Sequence, residues 1–315
     1  MSETSPDALF ARSVIVTGTH YSATTLVGRM LECAPQFHLL HEPTNAAPTL
    51  GFDSTHPPHW YEFYDTNRHG DLREALTRFL TAQGFAAEVA RRALRIRRPR
   101  QVLEVGRYVE RKLPFLRDRK PAIFKDPFLA FSARTLQQAD GLKVVLTVRH
   151  PCGFAESFAR KVGAFDFNDF LQPALLEALP EEAETIARFA REPQSPLEQA
   201  ALLWRVVYGF AARYLLDDPR THVVRQDDLA MEPDATLDAL LAFLDVPRNP
   251  AFDAFIEENL RAEAADFSGK GSYYKRNAKE TLGKWRERLD PQQQASVRAM
   301  TEEVAARFGY GPESW

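Results

Sequence analysis

Short, unbroken apolar runs alternate along the chain with longer stretches in which apolar residues return every three or four positions. SVIVTG (13–18), PAIFKD (121–126), KVVLTVRH (143–150) and THVVRQD (221–227) have strand length. The first and third are continuous rather than alternating, as strands buried on both faces should be. FHLLH (37–41) reads as one further short strand. Helical periodicity occupies 24–33, 71–95, 129–139, 151–160, 181–191, 197–216 and 233–244, with a final helix over 291–308. Strands alternating with helices predict an α/β fold, a central parallel sheet with helices on both faces. The helical stretches 71–118 and 165–216 exceed what a crossover needs. They are expected to be insertions, at about 51–120 and 163–216, that build a lid or an acceptor pocket on a single domain spanning 1–315. Pro57-Pro58, Pro193–Pro196 and Pro247–Pro250 mark loops within that unit.

Composition adds exclusions. The 315 residues are 44% hydrophobic and 26% charged, which is ordinary for a soluble globular chain with a sizeable core. A net charge of −3 gives no global field toward nucleic acid or acidic membrane, so a polyanion must be met by a local cluster. The start of the chain lacks the apolar core of a signal peptide, and no run approaches the ~20 apolar residues of a membrane helix. A cytoplasmic protein with no membrane span and no nucleic-acid partner is expected. Cys33 and Cys152 have no paired spacing, so neither a zinc site nor a disulfide framework is expected.

Two stretches carry candidate chemistry. VTGTHYSATTL (16–26) leads from a strand through Gly18, Thr19, His20, Tyr21, Ser22 and Ala23 into a helix beginning near Thr24 and Thr25. Backbone N–H groups and the helix dipole would converge there on an anion, with Ser22, Thr24 and Thr25 adding hydroxyls. A nucleotide-triphosphatase loop would have Gly at Ala23 and Lys at Thr24. The stretch is therefore either an ordinary strand–helix turn or a seat for an anion other than the Mg-bound end of ATP. In KVVLTVRHP, Arg149 takes the place of a Mg-binding Asp, at a strand end where open α/β sheets bind ligands. Ser157 and Lys161, at i and i+4, share a face of the helix that follows it. Together they suit a phosphate, with Arg giving a forked contact; a solvated polar face is the bland alternative.

Gly18-to-Thr25, HEPTN, KDPF, RHPCGFAESFARK and GKW, in that order, resemble the PAPS-dependent sulfotransferases. The similarity is to the tyrosylprotein-sulfotransferase-like branch, which has bacterial relatives of broad substrate range. It covers residues 13–45, 121–161 and 221–290 and implies a P-loop-like fold. It further implies transfer of a sulfuryl group from 3′-phosphoadenosine 5′-phosphosulfate (PAPS) to a hydroxyl of a sugar, lipid, phenol or other small molecule. Adenosine 3′,5′-bisphosphate leaves and no metal is needed. By the resemblance, the 18–25 loop binds the 5′-phosphosulfate, Arg149, Ser157 and Lys161 hold the 3′-phosphate, and Glu42 is the catalytic base. His41 is the competing base. Lys125 neutralises charge on the transferring group, as positioning-dominated displacements require. Lys284 of GKW matches a nucleotide-binding lysine, and Ser268, Lys270, Gly271 and Lys275 would line a cover over the nucleotide. Tyr21 and Ala23 depart from the family, which usually has Arg or Lys, and Gly, at those places.

Two further features stand outside that reading. RRALRIRRPR (91–100) carries six arginines and is expected to be a solvated helix end balancing the acidic stretch 177–184. His56-Pro57-Pro58-His59-Trp60 is expected to be a loop near the acceptor mouth, without a metal. The rival functions are a P-loop kinase using ATP, or a catalytically inactive nucleotide-binding relative.

Overall fold

A computed structural model describes residues 5–261, 279 and 282–315. Five parallel strands form one sheet in the order β2-β3-β1-β4-β5. They are β1 (Val14–Gly18), β2 (His38–His41), β3 (Ala122–Lys125), β4 (Lys143–Val148) and β5 (Thr221–Arg225). Each apolar run of the sequence supplies one strand, because a strand covered on both faces has no polar side to show.

The side chains of β1 divide between two cores. Ile15 joins Phe124, Val144, Leu146 and Val148 on one face. Val14 and Val16 join Ile123, Val145 and Val224 on the other. The second face is covered by helices Thr24–Leu31, Pro233–Leu244 and Pro250–Ile256. The first is covered by the long helix Pro196–Tyr214, which packs on helices Pro151–Lys161 and Pro291–Arg307. The helical run expected over 71–95 is two helices, His69–Leu80 and Phe85–Ala93, interrupted by Ala82 and Gly84 at positive φ. A third helix, Pro99–Arg117, follows with Pro99 in its first turn.

The arginine run does not balance 177–184. Arg92 is buried, its guanidinium 3.8 Å over the Tyr108 ring, with Nε 2.6 Å from Glu88 Oε1. Glu181 and Glu182 pair instead with Arg213 and Arg205. Sequence distance misassigned these charges, since the partner of Arg92 lies one helical turn before it.

Candidate active site

The sheet register brings four strand ends together. Val16 pairs with Lys125, His41 with Lys125, and Gly18 with Thr147. Gly18 has φ 144°, and a Cβ there would lie 2.3 Å from the Thr147 carbonyl, so only glycine fits. Beyond it, the Tyr208 hydroxyl donates to Thr147 O (2.8 Å) and accepts from Thr19 N (3.2 Å). Ser22 Oγ donates to Thr19 O and lies 3.1 Å from Thr147 Oγ1. Helix Thr24–Leu31 begins at Ala23, which has φ 71° and provides no side-chain cap. The first amides of that helix face a cleft of about 1380 Å³ lined by His20, Tyr21 and the residues from Ala23 to Leu26.

Opposite the loop, the chain turns sharply out of β2 at Glu42, with φ 49°. Glu42 N donates to Lys125 O (2.8 Å), and Lys125 Nζ donates to Glu42 Oε1 at 2.5 Å. Asn45 Nδ2 holds the other carboxylate oxygen at 3.0 Å. Burial alone would push the Glu42 carboxyl up; the charges of Lys125 and His41 and the hydrogen bonds outweigh it and hold it below the usual range. His41 lies 3.5 Å from Lys125 Nζ, and burial, then the lysine's charge, lowers it to about 4. Glu42 and His41 both line the cleft. The Lys125 side chain is only 1% exposed, with its ammonium beneath the Glu42 carboxylate. Below them Asp126 accepts from Thr44 N, Thr44 Oγ1 and Phe128 N at 2.6, 2.8 and 2.9 Å, fixing the turn that presents Glu42.

The other end of the cleft is cationic. Arg149 Nη1 donates to Tyr21 O at 3.2 Å, so the guanidinium after β4 points at the loop after β1. Its own carbonyl is pinned by Trp204 Nε1 at 2.9 Å. Gly153 leaves room for it, since a Cβ there would meet Arg149 Nε at 3.1 Å and Trp285 at 3.4 Å. Trp285 is buried and stacked on His150, 4.6 Å away at 7°. Lys161 Nζ sits 4.5 Å over the Tyr21 ring. Ser157 Oγ donates to Glu156 Oε2, while Glu156 Oε1 is engaged by Arg160 and Arg288. Ser157, Lys161 and Lys284 all line this end. Tyr21, Ala23, Glu42 and Tyr61 are four of the seven non-glycine residues at positive φ among the described residues, and all four line the cleft. Backbone strain thus concentrates where the candidate chemistry is.

A sequence profile described as "Sulfotransferase family" matches residues 13–250. The chain belongs to the sulfotransferase family. No curated protein matches this sulfotransferase's sequence. Similar solved structures include the sulfotransferase domain from the Synechococcus PCC 7002 olefin synthase, at 19% identity and TM-score 0.48, covering 95% of this chain and 94% of that one. Another is the sulfotransferase domain from the curacin biosynthetic pathway, at 15% identity and TM-score 0.47, covering 93% of this chain and 97% of that one.

Between its two charged ends, the sulfotransferase has an aromatic wall; the sequence pointed to its Pro57-Pro58-Trp60 segment but not to the rings that pack with it. Trp60 meets Phe128 edge-on at 4.5 Å, and both line the cleft with Pro57, Pro58, Tyr61, Phe158 and Phe165. His20 packs among Tyr61, Phe128, Phe154 and Phe158, with Nδ1 2.9 Å from the Tyr61 hydroxyl. Burial lowers it to about 4, so at neutral pH it is an uncharged member of that wall. Tyr208, Tyr61 and Glu156 also escaped the sequence reading. Each acts across a long loop or against its own helix, where no motif spacing points to it. Ser268, Lys270, Gly271 and Lys275 lie outside the described residues. Among the described residues no group of His, Cys, Asp and Glu is arranged to hold a metal ion, and no helix is long and apolar enough to cross a membrane.

Proposed function

We propose that this sulfotransferase moves a sulfuryl group from PAPS to a hydroxyl carried on an apolar body, releasing adenosine 3′,5′-bisphosphate. One observation carries the reading. A single cleft is lined by His20, Tyr21 and the residues from Ala23 to Leu26, by Glu42, and by Arg149, Ser157 and Lys161. Its residues fit a nucleotide with an anionic group at each end: one helix start without a side-chain cap, one guanidinium given clearance by Gly153, and a lysine over the ring of Tyr21.

In this reading the loop holds the 5′ end, while Arg149, Ser157 and Lys161 take the 3′-phosphate and so favour PAPS over ATP. Glu42 accepts the acceptor's hydroxyl proton while the acceptor oxygen bonds to sulfur. The S–O bond to the nucleotide phosphate breaks, and its electron pair stays on that phosphate. PAPS supplies the activated sulfuryl group and a stable leaving group. Lys125 links donor to base. An anion in the cleft competes for its ammonium, and Glu42, left with burial as its dominant influence, becomes a stronger base. His41, held at about 4 by burial and by the same lysine, is the weaker candidate. The aromatic wall beside Glu42 favours acceptors with an apolar face.

Calorimetry with adenosine 3′,5′-bisphosphate and with ATP plus magnesium, followed by labelled-sulfate transfer, tests the reading. The bisphosphate should bind more tightly, and label should pass to aryl or alkyl alcohols. Tight binding of ATP with magnesium and none of the bisphosphate would make the protein a kinase. Bisphosphate binding without transfer to any acceptor would make it an inactive relative. The placement of Tyr21 between Arg149 and Lys161 favours that second reading.

A further inference from the structure

The helical hairpin spanning 85–117 belongs to neither the cleft nor the sheet. Five of the eight large apolar residues that the described chain leaves exposed lie on it: Leu94, Val102, Leu103, Leu113 and Leu116. Exposure reaches 78% at Leu94 and 65% at Leu103. Helix Pro99–Arg117 already buries one face through Val105, Tyr108, Lys112 and Phe115. Val102, Leu113 and Leu116 fall on an adjoining stripe, with Gly106 between them and nothing within 4 Å of the place where its Cβ would be. The helix is therefore apolar over more of its surface than the fold covers.

The same 33 residues carry ten basic and three acidic side chains, a local charge of +7 in a chain of net −3. Arg95, Arg98, Arg100, Arg107 and Arg117 are exposed. A second copy docking on this face would bring two such clusters together, so charge opposes self-association. An apolar stripe flanked by arginines on a surface helix suits the boundary of an anionic bilayer, where the apolar side chains enter the acyl region and the guanidinium groups meet phosphates.

We infer that the hairpin 85–117 docks this protein peripherally on anionic lipid. The hairpin is tied to the cleft: Glu104 Oε2 accepts from Leu50 N (3.3 Å) and Arg111 Nη1 donates to Gly51 O (3.0 Å), on the segment that runs on to Trp60. This inference stands whether or not the proposed reaction does.

The test is co-sedimentation of the full chain with phosphatidylcholine vesicles, plain or containing about one-third phosphatidylserine. The protein should pellet with the anionic vesicles only, and less so as salt rises. Leu103→Ser/Leu113→Ser/Leu116→Ser and Arg95→Glu/Arg98→Glu/Arg100→Glu should each weaken binding about tenfold or more. Their melting temperatures should stay near wild type, because the replaced side chains are exposed. No binding to anionic vesicles, equal binding to neutral ones, or variants that bind like wild type would each overturn the inference. A dimer in sedimentation equilibrium that the serine variant abolishes would assign the face to a second copy instead.

Discussion

Lys125 and Arg149 stand at the ends of the two strands that flank β1, and their surroundings differ. Lys125 is covered: its ammonium is 2.5 Å from Glu42, and the pair is close to neutral before anything binds. Arg149 is hydrogen-bonded to a backbone carbonyl, which leaves its charge uncompensated by direct contact. The carboxylate of Glu156, on the helix that follows it, is committed to Arg160 and Arg288. One strand end thus holds the proposed proton acceptor together with the charge that keeps it weak. The other presents net positive charge to the cleft, which is what recognition of a doubly charged phosphate needs. On the proposed reading, transfer of a proton and selection of a nucleotide are separated by the width of three strands.

The largest expected effect is at the covered end. Glu42→Gln keeps the shape and the hydrogen bond from Asn45 but cannot take a proton. Turnover should fall by roughly 10²–10⁴-fold, while calorimetric affinity for adenosine 3′,5′-bisphosphate stays within about threefold, because the proposed base lies away from the end proposed to take the 3′-phosphate. Equal losses in both would merge the two ends into one site. Next comes Arg149→Ala, which removes a charge-assisted forked contact and should weaken the bisphosphate by about a hundredfold. ATP should lose less, since it lacks the group that Arg149 is proposed to meet. Parallel losses would break the assignment of that end.

A smaller effect would sharpen the covered end. In Lys125→Met, burial is left to dominate at Glu42, so its carboxyl titrates at a higher pH. The acid limb of the pH–rate profile should move upward relative to wild type, with a lower plateau from the lost cation. A limb that does not move would assign the limiting proton acceptor to another group.

The fold was largely legible in the chain. A strand buried on both faces must be apolar throughout, so SVIVTG and KVVLTVRH announce themselves and the residues at their ends follow. The departures at Tyr21 and Ala23 were equally visible. What stayed hidden lies across distance or within one helix turn. Tyr208 reaches Thr19 over 189 residues, and no local period records that contact. His20 looked like a phosphate ligand because hydrogen-bonding residues surround it in sequence, but its neighbours in space are rings. The arginine run misled for the opposite reason: its charges hid the uncovered stripe that follows, where Val102, Leu113 and Leu116 recur at helical spacing.

The smallest effect compares a histidine at each end through stability. Burial, then the charge of Lys125, lowers His41 to about 4; burial, then the charge of Arg286, lowers His150 to about 3. An unfolded chain protonates such residues near 6.5. As pH falls below that value the unfolded state takes up protons that the folded state refuses, so both residues destabilise the fold progressively until the folded values are reached. Asp126 acts with the opposite sign: burial, then the charge of Glu42, raises it to about 7, so the stability it contributes is present in acid and is lost as pH rises through 7. The histidines should prevail below pH 6, lowering the melting temperature by about 5 °C between pH 7 and 5. His150 accepts from Cys152 N at 3.2 Å as the cap of its helix, so protonation also removes that cap. His150→Asn keeps a capping oxygen and removes the titration. Scanning calorimetry should find its melting temperature lower at pH 7, through the lost stacking on Trp285, but flatter toward acid. His41→Asn should flatten the curve less, because its side chain is 29% exposed and water relieves part of the cost. Curves for both variants that run parallel to wild type would mean that neither histidine is held neutral, and the two ends would no longer differ in this respect.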